Sequence, residues 1–150
     1  MNTPEQIEVV LTFRNDTDNP KIYTEKVKAT KVDDYYELIQ IPAFAPNLSF
    51  GDIVKVEYEE GHYYFEELVK ESGHSTIHIA ILKEEIKNDL IKKLEEQGCG
   101  VNTHIAHDYL VVNVPPTVPY IPIEAYLLEL EEKDAVSFRE ACLSGIHREL

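Results

Sequence analysis

The chain has 150 residues, 43% of them hydrophobic and 28% charged, which suits one globular domain or two small subdomains. Twenty-eight Asp and Glu against 14 Lys and Arg give a formal net charge of -14, and without a basic stripe this argues against binding nucleic-acid backbones. No apolar run nears the roughly 20 residues of a membrane-spanning helix, the start lacks the pattern of a secretory signal, and Cys99 and Cys142 have no metal-type spacing, so a cytoplasmic protein with free thiols is expected.

Ile7 to Phe13 is dense in β-branched and apolar residues and predicts a strand. Arg14-Asn15-Asp16-Thr17-Asp18-Asn19-Pro20 predicts a loop, because Asn and Asp bond to their own backbone and proline ends regular structure. A second strand is expected over Ile22 to Thr30, with Tyr23, Glu25, Val27 and Ala29 on one face. After the Val32-Asp33-Asp34-Tyr35 turn a third strand runs from Tyr36 to Ile41. Two prolines make Pro42 to Leu48 irregular, with Phe44 expected to point inward as a plug. Gly51 suits a positive φ or a bulge ahead of a strand from Ile53 to Tyr58. That strand returns through Glu59-Glu60-Gly61-His62 as Tyr63 to Lys70. Five strands on short turns predict a small, strongly bent, barrel-like sheet.

The period changes at Ser72-Gly73-His74-Ser75-Thr76. A strand is expected from Thr76 to Leu82, with Ile77, Ile79 and Ile81 on one face. Lys83 to Gln97 places Ile86, Leu90, Ile91 and Leu94 at helical spacing, and Gly98 suits its C-terminal cap. Gly100 to Ala106 and Tyr109 to Val114 read as strands, and Pro115 to Pro119 stops them. The remainder reads as helical around Ile121 to Leu130 and again from Ser137 to Leu143. The order β-α-β-β-α predicts a ferredoxin-like subdomain. The expected whole is an α+β protein: residues 1–75 a barrel-like subdomain, residues 76–150 the ferredoxin-like one, sharing a core as one unit.

Several stretches carry a resemblance. They are Ile41-Pro42-Ala43-Phe44, Ser49-Phe50-Gly51-Asp52-Ile53-Val54, Ser72-Gly73-His74-Ser75-Thr76-Ile77, Leu94 with Gly98-Cys99, Val114-Pro115-Pro116, and Glu140-Ala141-Cys142-Leu143. Together the chain resembles the bacterial family catalogued as domain of unknown function 4265, over nearly its whole length. The Ser-Gly-His-Ser-Thr run is the most specific part. A departure lies in the second strand, where the family pattern leads one to expect Trp and this chain has Tyr23. The resemblance implies extent and architecture. By analogy of size, charge and setting, it also suggests an immunity protein, one that neutralises a toxin.

A serine nucleophile needs a base in reach and a third group to orient that base. Ser72 and His74 are close in sequence but lie in no nucleophile-elbow motif, so His74 is expected to fix the bend by bonding to backbone carbonyls. The histidines His62, His74, His78, His104 and His107 show no metal-ligand spacing, and Gly98-Cys99-Gly100 lacks the features of a phosphate loop. No catalytic residue, metal or cofactor is therefore expected. What remains is an acidic, aromatic hairpin: Glu57, Tyr58, Glu59, Glu60, Tyr63, Tyr64 and Glu66 are the expected contacts of a basic protein partner. The alternative is a small enzyme or ligand-binding domain with its site where the halves meet, around Asp52, Ser72, Gly73, His74 and Ser75.

Overall fold

The computed structural model describes residues 5–14 and 21–149, so the expected loop after Arg14 lies outside the described residues. The chain is a strand-rich α+β protein with two sheets. β1 (Gln6–Arg14), β2 (Ile22–Val32), β3 (Tyr35–Leu38), β4 (Ile53–Glu59) and β5 (His62–Lys70) pair in sequence order, each antiparallel to the next. β5 then meets β1 in parallel at Val9↔Tyr63 and Val10↔Tyr64, which closes the ring. Irregularities at Ile53/Val54 and Lys55/Val56 give β4 and β5 the local twist that such closure needs.

Alternation decides what fills the ring. Val9, Leu11, Val27, Ala29, Leu38 and Val54 are buried inside it. The segment between β3 and β4 adds Ala45 and Leu48. Phe44, the expected plug, is instead 46% exposed. The cause is Glu25, whose carboxylate accepts the backbone N–H groups of Ala43 (2.5 Å), Phe44 (3.1 Å) and Ala45 (2.9 Å). This wraps the turn so that the two small alanines face inward and the ring between them stacks on Tyr109, centroids 5.7 Å apart.

The second sheet is built from β6 (Ser75–Ile81), β7 (Gly100–Ala106), β8 (Tyr109–Val114) and β9 (Val136–Cys142) in the order β7-β8-β6-β9. A 3-10 turn (Glu84–Ile86) and α1 (Lys87–Glu96) connect β6 to β7; α2 (Ile121–Glu132) connects β8 to β9; α3 (Gly145–Glu149) ends the described chain. Ile77, Ile79 and Ile81 of β6 meet Leu90 and Leu94 of α1 and Ile123 and Leu127 of α2 in a second buried cluster. No helix among the described residues is long and apolar enough to cross a membrane.

Residues 137–143, expected to be helical, lie mostly in β9, which pairs antiparallel with β6 from Ile81↔Val136 to Thr76↔Cys142. Apolar residues at short spacing fit either period in so brief a segment. The unpaired edge of β6 decides the matter, because its N–H and C=O groups need partners and seven residues of isolated helix would supply none.

The two buried clusters are separate, and polar bonds tie the ring to the second sheet. Asn47 N–H donates to the Ala141 carbonyl (2.8 Å), the Ser49 and Thr76 hydroxyls bond at 2.9 Å, and the Tyr109 hydroxyl donates to the Ala43 carbonyl (2.8 Å).

Candidate functional site

The junction corner is built around Asp52, which is fully buried. Its carboxylate accepts the N–H of Ser49 (2.9 Å) and of Ser72 (2.8 Å). Burial raises its pKa, and these two bonds oppose the rise. The Ser72 hydroxyl donates to the Phe50 carbonyl (2.7 Å) and accepts the His74 N–H (3.1 Å). Gly73 holds φ at +94°, and a Cβ there would meet Pro116 at 3.1 Å and Ile146 at 3.3 Å. No bond joins the Ser72 hydroxyl to the His74 ring. That ring instead places Nδ1 3.2 Å from Asn113 Oδ1 and packs edge-on against Phe50, so its hydrogen-bond partner is a side-chain amide and not the expected backbone carbonyls. Ser72 and His74 border a depression of about 330 Å³ that also touches Glu37, Phe50 and Lys70.

Ser75 belongs to a different pair, one that sequence spacing could not reveal. Its hydroxyl lies 2.5 Å from His147 Nδ1, while His147 Nε2 faces the Pro115 carbonyl at 2.9 Å. That carbonyl requires the proton on Nε2, so Nδ1 accepts from Ser75. The Ser75 hydroxyl also accepts the Ser144 N–H (2.9 Å). The pair has the donor order of a serine–histidine nucleophile, yet Ser75 is fully buried and His147 is 2% exposed. Its geometry clamps α3 onto β6.

A second missed pair lies on the face of the β6 and β9 strands turned toward the first sheet. Arg139 Nη2 donates to His78 Nδ1 (2.9 Å) and to the Phe44 carbonyl (3.1 Å). His78 Nε2 is 3.4 Å from the Pro42 carbonyl. Burial, reinforced by the neighbouring Arg139 charge, pushes the His78 pKa down to about 4. The available signal was scarcity: the chain has only three arginines, at 14, 139 and 148.

The hairpin residues divide between two faces. The Tyr58 and Tyr63 rings meet at 5.1 Å, and Tyr63 meets Tyr36 at 5.9 Å, an aromatic ladder at one end of the ring. Glu57 lies opposite Tyr64, and Glu59 opposite His62, on the other face of the strands. Glu60 (φ +49°) and Gly61 (φ +87°) form the two-residue turn, both in the left-handed region that tight hairpins demand. Glu66 sits 3.8 Å from Lys55. Tyr58 is 63% exposed and Tyr64 38%.

Among the described residues no three His, Cys, Asp or Glu side chains are grouped to hold a metal ion. Cys99 and Cys142 are free; burial pushes the Cys99 thiol up to about 11 and raises that of Cys142, which leaves both thiols poor nucleophiles.

Fold and site together define a two-sheet α+β protein whose junction corner is internally hydrogen-bonded. The chain belongs to the family described as Domain of unknown function (DUF4265), whose profile matches residues 25–138. It is similar to the crystal structure of a hypothetical protein from Neisseria gonorrhoeae, with 30% identity and a TM-score of 0.83 over 96% of this chain and 98% of that one. No curated protein matches it.

Proposed function

We propose that this is a non-catalytic, cytoplasmic binding protein whose partner is a basic protein, an immunity-type inhibitor of a toxin being the most concrete form. The observation that supports it is the β4–β5 hairpin. Glu57, Glu59, Glu60, Glu66, Glu67 and Glu71 outnumber Lys55 and Lys70 along it and just beyond its end, and Tyr58 and Tyr64 stand exposed among them. Exposed tyrosines give contact area at small entropic cost, and the carboxylates steer a basic partner and fix its register. The element order β-α-β-β-α-β and the sheet order β7-β8-β6-β9 support a ferredoxin-like reading of residues 76–150, and the ring of β1 to β5 a barrel-like reading of residues 1–75. At their junction Asp52 is bonded to the Ser72 N–H, Ser75 to His147, and Gly73 takes a positive φ against Pro116 and Ile146, which supports a structural assignment for those residues. Capture of a toxin-like protein encoded beside this chain, repeated at rising salt, tests the reading. Association that weakens with salt and with Glu57→Lys/Glu59→Lys is the expected result. A complex absent even at low salt, or indifferent to those changes, defeats it.

A further inference from the structure

A cavity of about 830 Å³ forms a cleft between the rim of the first sheet and β9. Its walls are aromatic: Phe13 and Tyr23, stacked at 5.9 Å, stand along it with Phe44. Tyr23 is 43% exposed and Phe44 46%, so the cleft leaves sizeable apolar rings uncovered. Two of the chain's three arginines, Arg14 and Arg139, line the same cleft together with the carboxylate of Glu140. In a protein of net charge -14, two guanidinium groups at one cleft are a local concentration of cations that offsets the carboxylates of Glu140 and Glu25.

Arg139 is also aimed. Its Nη2 is held by the Phe44 carbonyl and His78, and it forms no ion pair with a carboxylate among the described residues. The donors on Nη1 and Nε remain for another acceptor. His78 strengthens this placement, because a neutral imidazole accepts from the guanidinium without neutralising it. A volume of this size lies in the range of small-ligand sites, which pair mostly apolar walls with a few placed polar groups.

We propose that this cleft binds a small aromatic carboxylate, its ring against Phe13, Tyr23 and Phe44 and its carboxylate on Arg139, with Arg14 as the second cation. The site is independent of the hairpin to which the basic partner is assigned. Sodium 2-naphthoate is a suitable probe: the chain has no Trp, so its fluorescence is read without indole background. Titration of the full chain, followed by naphthoate fluorescence and by backbone amide shifts, should give saturable binding with shifts centred on Phe44, Asn47 and Ala141. The neutral analogue 2-naphthalenemethanol should bind about tenfold or more weakly, as should naphthoate to Arg139→Gln. Because Arg139→Gln could disturb the His78 contact, Tyr23→Ser, at an exposed position, and Arg14→Gln supply independent variants, each expected to weaken binding. Tyr64→Ala, on the hairpin, should leave it unchanged. Equal affinity for the neutral analogue, or shifts elsewhere than the cleft, would overturn the proposal. So would naphthoate failing to bind while a peptide ending in Phe does, since the occupant is then a protein tail.

Discussion

His78 shows how one side chain can be set by its surroundings. It is 4% exposed, accepts from Arg139, and has its pKa held at about 4 against an ordinary 6.5. Between those two values the unfolded chain binds a proton that the folded chain refuses, so stability from this group is complete above pH 6.5 and is lost as pH falls toward 4. The shift corresponds to about 3 kcal/mol at most. Asp52 and Glu124, whose pKa values are raised, act in the opposite direction at acid pH, so the test is a difference. Urea unfolding of the native chain and of His78→Phe at several pH values should converge as pH drops, the native chain losing the larger share. Parallel curves would show that His78 does not carry the effect.

At the level of elements, the corner between β5 and β6 rests on backbone geometry more than on side-chain chemistry. Gly73 turns the chain at φ +94° where a Cβ would press on Pro116 and Ile146. Gly73→Ala is therefore expected to cost roughly 2 kcal/mol, from the left-handed backbone and the displaced neighbours together. Thermal unfolding measures the loss, and naphthoate affinity at the remote cleft should remain within about twofold. A stable Gly73→Ala would mean that the corner is looser than its contacts imply. The same logic explains the turn at Ala43 to Ala45: three N–H groups on one Glu25 carboxylate fix which residues face inward, and Phe44 is thereby delivered to the cleft wall.

Across the whole molecule, two apolar clusters are coupled by polar bonds between the sheets. Ser49 to Thr76, which is buried, and Asn47 to Ala141 and Tyr109 to Ala43 would all be broken if either half opened alone. One cooperative unit is expected. Native-state hydrogen exchange should give the same opening free energy for Val9 in β1 and Val112 in β8, within about 1 kcal/mol. A gap of several kcal/mol would mean that the halves unfold separately. The charge distribution also belongs to this scale, since the acidic hairpin and the arginine-bearing cleft lie on different elements and offer surfaces for different chemistries.

Much of this was legible in the residues themselves. Alternation in β1 and β2, the helical spacing of Leu90 and Leu94, and glycines at 51, 61 and 98 in positive φ are local properties, and the sequence alone determined them along with the net charge and the family. The fate of residues 137–143 was not local, because it depended on an open edge of β6 formed far away in the chain. Nor was the direction of Phe44, which Glu25 decides from 19 residues upstream. The pairs Ser75–His147 and His78–Arg139 join residues 72 and 61 positions apart. Only the tertiary structure could bring them together, because hydrogen bonds are chosen by distance in space, and the cleft that Arg139 lines exists only once both sheets are in place.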